Sequence, residues 1–332
     1  MGGFFSKQLA FDPLKEIPDL SGKVAIVTGG NSGIGFATVQ HLARHGAKVY
    51  IGARSEERAK TAIERLRAEG LQPGNGEVDW FELDLDDPRK AKQGAEAFLA
   101  KEKRLDILVN NAGTMRIPYT INSTYGIQEV MLVNHIGTFL FTKTVLPLLV
   151  DTAKQPDSDV RIVVVSSDAM RRVKGHDVHF RDINDINNEF KRSLLPDFDR
   201  YGLSKLANTL FAKQLQRKLD EEGAPIIVTS LHPGSVFTEG VQKDPTLSLP
   251  IIKPITTIIL RQFFLPPSEG AYNSLFAAAS PIVKAEKEKY KGAYLRPPAG
   301  TIVPPPAPQA ESKELAEELW NTTEAILKTF DL

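Results

Sequence analysis

The sequence predicts a doubly wound α/β fold on a parallel sheet. Short β-branched runs, apolar through their middle as strands covered on both faces must be, alternate with longer segments whose apolar residues recur at three- and four-residue spacing. The first run, Lys23-Val24-Ala25-Ile26-Val27-Thr28, passes through Gly29-Gly30-Asn31-Ser32-Gly33-Ile34-Gly35 straight into a helix-patterned segment ending near His45. Strand, glycine turn and helix in that order let the backbone approach a pyrophosphate, which meets free N–H groups and the positive end of the helix dipole.

Composition narrows the function. With 332 residues and 42% hydrophobic content the chain can bury a full core. Lys+Arg and Asp+Glu are both 41, so nothing in the balance points to nucleic acid or an anionic membrane as the main partner. Cysteine is absent, which excludes disulfides, thiolate metal sites and a Cys nucleophile. His176 and His179 stand three apart, but no further ligand has metal-site spacing, so no metal is expected. No transmembrane span is expected either: the most apolar candidate, 249–265, is broken by Lys253, Pro254 and Arg261. The N-terminus lacks a secretory signal, yet Met1-Gly2-Gly3-Phe4-Phe5-Ser6 matches the myristoylation pattern. The alternative is an arm whose Phe4, Phe5, Leu9 and Phe11 pack on the domain. One acyl chain gives only marginal membrane binding.

Later elements follow in order. The second strand, 48–52, ends at Ala53-Arg54-Ser55. An acid there would accept from a ribose 2′-OH, whereas Arg54 can meet a 2′-phosphate, which favours NADP(H) over NAD(H). Strand 78–83 ends before Asp84-Leu85, where Asp84, Asp86 and Asp87 are also candidate N-caps of the next helix. Strand 105–109 runs into Asn110-Asn111-Ala112-Gly113. A helix from about 126 to 146 is apolar nearly all round, with Asn134 in its middle, and a buried polar residue there needs a partner or a job. Strand 161–165 delivers Ser166 and Ser167. Tyr201-Gly202-Leu203-Ser204-Lys205 opens a helix on which residues i and i+4 lie on one face about 5–6 Å apart, so the Tyr201 hydroxyl and Lys205 ammonium can share one site. Work near pH 7 requires the phenol, which titrates near 10 when free, to be lowered by roughly 3 units, and a neighbouring ammonium favours phenolate. Strand 225–231 leads to His232-Pro233-Gly234-Ser235-Val236-Phe237-Thr238. A helix over 268–279, a last strand over 292–295, an extended proline-rich segment over 296–309 and a helix over 312–330 close the chain.

Together these motifs resemble the short-chain dehydrogenase/reductase family. The residues that carry the likeness are T-G-x-x-x-G-x-G from Thr28, N-N-A-G at 110–113, Ser167, Y-x-x-x-K at Tyr201 and Lys205, and P-G-x-V-x-T at 233–238. It covers about residues 20–295, and Tyr201 to Asn208 is similar to the retinol-dehydrogenase-like branch. The resemblance implies a single-domain Rossmann fold with seven parallel strands in the order 3-2-1-4-5-6-7 and the site at their carboxyl ends. It implies Tyr201 as general acid/base, Lys205 lowering its pKa and holding the nicotinamide ribose, Ser167 polarising a carbonyl, and Asn134 holding a proton relay. Gly29, Asn31, Ser32, Gly33, Ile34, Gly35, Arg54, Asp84, Leu85, Asn111, Ala112, Gly113, Pro233, Gly234, Val236 and Thr238 would complete the cofactor site with Tyr201 and Lys205.

The expected organisation is an arm over 1–20, an oxidoreductase domain over 21–296 with an insert at about 171–200 and a substrate lid at about 239–267, and a tail over 297–332. The apolar lid predicts an apolar carbonyl or alcohol substrate, although core packing would look the same. Monomer and homodimer stay open, and the compartment is expected to be cytoplasmic, with peripheral membrane contact through the N-terminus. A catalytically silent NADP-binding regulator, or an epimerase or dehydratase using the same Tyr/Lys pair, remains as an alternative.

Overall fold

The computed structural model describes residues 11–115, 117–234 and 266–332. The Gly2 pattern, Phe4, Phe5, Leu9, Val236, Thr238 and nearly all of the expected lid lie outside them. The framework is an eight-stranded sheet in the order β3-β2-β1-β4-β5-β6-β7-β8. The strands are β1 Val24–Thr28, β2 Lys48–Ala53, β3 Val78–Glu82, β4 Ile107–Asn110, β5 Val160–Val165, β6 Ile226–Leu231, β7 Tyr294–Arg296 and β8 Thr301–Ile302. The pairings from β3 through to β7 are parallel.

The seven parallel strands stand in the expected order, and β8 adds an eighth within the segment expected to be extended. It pairs antiparallel with β7, Leu295 opposite Ile302 and Arg296 opposite Thr301. Prolines bracket this pair without entering it: Thr301 N donates to Pro298 O at 3.1 Å across the turn, and Val303 N to Tyr294 O at 3.1 Å. A proline cannot donate to the ladder, but Thr301-Ile302-Val303 between the proline clusters can.

Strand alternation explains why both faces are covered. On β1, Val24 and Ile26 enter one core while Ala25 and Val27 enter the other. The Ala25 and Val27 core is closed by helices α1 Gly33–Arg44, α2 Glu56–Glu69 and α6 Tyr272–Ala279. The other is closed by α3 Pro88–Lys101, α4 Thr138–Ala153, α5 Pro196–Glu221 and α7 Lys313–Lys328. Phe11 packs edge-on to Phe276 with ring centroids 5.4 Å apart, which places the end of the arm against the sheet.

The apolar helix around Asn134 differs from expectation in its middle. An α-turn at Glu129–Met131 passes into a π-helical turn, Leu132–Gly137, before α4 begins. By length and composition 129–153 could cross a membrane, yet 61% of its most apolar window is buried in the fold. The α7 helix seals this region. Trp320 lies 4.8 Å from the Phe139 ring and 6.0 Å from Phe211, and His135 Nε2 lies 2.8 Å from Thr323 Oγ1. Burial pushes His135 down to about 3, so the imidazole is neutral.

Trp320→Ala should therefore destabilise the protein by about 3–5 kcal/mol, the usual cost of emptying a buried aromatic site. Urea unfolding measures it; a loss below about 1 kcal/mol would mean that α7 is not anchored through this ring.

Candidate active site

A groove of about 1010 Å³ runs along the carboxyl ends of the strands. Every described residue expected at the cofactor or catalytic site lines it except Asn134, which lies just behind.

The glycine turn is tight for a physical reason. A Cβ on Gly35 would sit 2.4 Å from Gly29 O and 2.6 Å from Asn111 Nδ2, so only hydrogen fits there. Ser32 is the N-cap of α1 but makes no side-chain capping bond, which leaves first-turn N–H groups for an anionic ligand. Thr28 ties this turn to the N-N-A-G loop. Its Oγ1 accepts from Asn111 N at 3.0 Å and Ala112 N at 2.9 Å, and its carbonyl accepts from Asn111 Nδ2 at 2.8 Å. Sequence reasoning missed this tie, although Thr28 opens the motif it read.

At the far end, Ala53 is buried where β2 stops and Arg54 is exposed, with no ion pair among the described residues. Ser55 caps α2 by accepting from Arg58 N at 3.3 Å, and Arg58 joins Arg54 on the wall. Asp87 caps α3, accepting from Arg89 N at 3.0 Å and Lys90 N at 3.4 Å, which leaves Asp84 and Leu85 on the groove. These groups fit a dinucleotide: glycines at the turn, free N–H groups beyond it and two arginines where the second strand ends.

The neighbouring serines have opposite surroundings. Ser166 is 2% exposed and spent on α5, donating to Lys205 O at 2.7 Å and accepting from Thr209 Oγ1 at 2.9 Å. Ser167 faces the groove, where its Oγ accepts from Ala169 N at 3.1 Å and its hydroxyl acts on the Tyr201 phenol. The α5 helix approaches the Ser167 turn because residue 202 is glycine; a Cβ there would sit 2.7 Å from Ala169 O.

Tyr201 and Lys205 are one helical turn apart, with Lys205 Nζ 5.6 Å from the Tyr201 ring centroid. Lys205 is 3% exposed, and its Nζ donates to Val165 O at 3.0 Å. Burial lowers it to about 8. Tyr201 departs from the expectation of an acidified phenol: burial pushes it up to about 12, and the influence of Ser167 pulls back only part of the way. The ammonium is engaged by the main chain, so desolvation of the phenol prevails.

Asn134 is wholly buried and its amide is fully used. Oδ1 accepts from Thr114 N at 2.7 Å, while Nδ2 donates to Thr114 O and to Ser204 Oγ, both at 2.9 Å. It thus joins the loop after β4 to the turn of α5 that carries Lys205. A methyl at Gly113 would sit 3.3 Å from Lys205 Nζ and 3.4 Å from Asn134 Oδ1, so the two groups converge there. Pro233 and Gly234 line the groove just past β6.

Met115, Ile117, Val133, Asp168, Arg171, His232 and Arg296 also line it, none of which sequence reasoning assigned to the site. Arg296 reaches Asp168 only because β6 and β7 pair, and no local signal announces that. The segment expected to be an insert, about 171–200, packs on the loop after β4: Asn187 Nδ2 donates to Gly126 O at 2.7 Å and its Oδ1 accepts from Gln128 N at 2.8 Å.

Residues 23–177 match the short chain dehydrogenase family model. A short-chain dehydrogenase/reductase of Armillaria gallica is 44% identical over 313 residues, spanning 94% of this chain and 95% of the relative. The chain belongs to the short-chain dehydrogenase/reductase family. It is an oxidoreductase of that family by these relationships. Retinol dehydrogenase 14 of Homo sapiens is 35% identical over 319 residues, covering 93% of this chain and 87% of that protein. The solved Pseudomonas aeruginosa RhlG/NADP active-site complex has a TM-score of 0.60 and 26% identity, covering 85% of this short-chain dehydrogenase/reductase and 97% of that chain.

The buried ammonium sets a stability test. Because Lys205 titrates at about 8 in the folded protein and at 10.5 ordinarily, its desolvation costs stability fully below pH 8. That cost is relieved as pH rises from 8 through 10.5, where the folded state releases its proton first. Lys205→Met should be more stable than the parent at pH 7, by up to about 3 kcal/mol, and the difference should shrink across that window. Equal stabilities at pH 7 in urea unfolding would contradict the buried-ammonium assignment.

Proposed function

We propose that this enzyme interconverts a carbonyl group and an alcohol on a small molecule, with NADP(H) as the redox partner. The observation that carries the reading is the meeting of Ser167, Tyr201 and Lys205 in the groove that begins at the glycine turn. When bound, NADPH supplies hydride to the carbonyl carbon and NADP+ accepts it in reverse.

The chain supplies proton and charge control. Ser167 and Tyr201 hydroxyls meet the substrate oxygen, whose negative charge grows as its carbon is reduced. Tyr201 then gives that oxygen its proton; at about 12 without ligand the phenol starts each reduction protonated. Lys205 would hold the nicotinamide ribose and return a proton from solvent to Tyr201 after each reduction, while Asn134 fixes the α5 turn that carries Lys205. In oxidation Tyr201 must lose its proton, and the positive charge of oxidised nicotinamide would lower the phenol as Lys205 alone does not.

NADP(H) is favoured by Arg54 and Arg58 on the wall beyond Ala53, in place of the acid that would accept from a free 2′-OH. The RhlG/NADP complex supports this choice as a likeness. The apolar Met115, Ile117 and Val133 near the reacting end suit a substrate with an apolar body.

Tyr201→Phe should retain NADPH affinity within about threefold and lose about 10²–10⁴ in turnover. Fluorescence titration and NADPH consumption against ketones, aldehydes and quinones measure the two, and near-normal turnover would defeat the assignment. Arg54→Asp should weaken NADPH about tenfold or more while sparing NADH; an unchanged ratio of the two affinities would remove the phosphate-reading role.

A further inference from the structure

The reacting end of the groove carries charge that hydride transfer does not require. Ser167 is the N-cap of a 3₁₀ turn, Asp168–Val173, which sets Asp168 and Arg171 on the groove wall. Arg296 arrives from the end of β7. Asp168 is 8% exposed and both its oxygens are occupied: Oδ1 accepts from the Tyr294 hydroxyl at 2.9 Å, and Oδ2 lies 2.6 Å from Arg296 Nη2. This carboxylate is spent inside the protein.

Arg171 is different. Its side chain is exposed and has no carboxylate partner among the described residues. His232 adds no negative charge on this wall. Burial lowers its pKa, Asp168 acts against that, and Arg296 and Arg171 press it further down. Its Nδ1 is buried without a hydrogen-bond partner. With Lys205 as ammonium, Lys205, Arg171 and Arg296 thus face one carboxylate that is already paired. A cleft with such an excess gathers anions.

We propose that the substrate is an anionic amphiphile, a carbonyl compound whose apolar body lies along Met115, Ile117 and Val133 and whose carboxylate is received by Arg171. This rests on the carbonyl-reductase reading of the same groove and adds the charge class of the substrate. A guanidinium takes a carboxylate through two parallel charge-assisted bonds. A neutral compound of the same shape would cover Arg171 without pairing it, so the site selects against esters as well as for acids.

The test uses oxo-octanoic acids and their methyl esters. Each is titrated into NADPH-loaded protein by fluorescence and assayed for NADPH consumption. The acid should bind about tenfold or more tightly than its ester. Arg171→Gln should erase that preference and Arg171→Lys should keep part of it, with NADPH affinity unchanged in both. The proposal is overturned if the parent protein does not prefer the acid, or if Arg171→Gln weakens acid and ester equally. It is also overturned if Arg171→Gln weakens NADPH, which would assign Arg171 to the cofactor. Acid preference without NADPH consumption would keep the charge assignment and overturn the reductase reading. Consumption without acid preference would do the reverse.

Discussion

A half-buried phenol and a buried ammonium one helical turn apart form the constraint that the rest of the structure serves. Neither group gains from leaving water on its own. Burial raises the Tyr201 hydroxyl to about 12 and lowers Lys205 to about 8. The fold offsets part of this: Lys205 donates to Val165 O, and Ser167 acts to lower the phenol. The close seat of α5 also depends on Gly202 and on Ser166 and Thr209 turned inward. In the proposed mechanism the site so built is a proton donor at rest. Its conversion to a base would wait on positive charge brought by a ligand, which would couple the state of Tyr201 to the redox state of the nucleotide.

The supports of this pair come from distant parts of the chain. Thr28 holds the loop after β4 against the glycine turn, and Asn134 holds the same loop against α5 through Thr114 and Ser204. Beside Asn134, the neutral His135 reaches Thr323 on α7, beyond the 23–177 span of the family model. The π turn around Asn134 thus lies between the site and the C-terminal helix, so packing at Trp320 and geometry at Lys205 belong to one body.

Much of this was legible in the sequence because it is local. Buried strands announce themselves by unbroken β-branched runs, and the glycine turn by its place between strand and helix. Y-x-x-x-K puts two side chains on one helical face whatever surrounds it. What the sequence hid is set by contacts across the fold. β8 depends on a turn between proline clusters, and the Asp168–Arg296 pair depends on the pairing of β6 with β7. The upward shift of Tyr201 depends on burial, which residue spacing does not encode. The π turn gave half a signal: Asn134 was visible as a polar residue needing a partner, but Thr114 and Ser204 were not visible as its partners.

Titration of the Tyr201 hydroxyl itself, followed through its ring carbon by NMR in protein carrying labelled tyrosine, tests the central claim most directly. Without nucleotide the hydroxyl should titrate near 12; with saturating NADP+ it should fall by about two units or more. A free-protein value near or below that of ordinary tyrosine, or one that NADP+ leaves unmoved, would contradict the account.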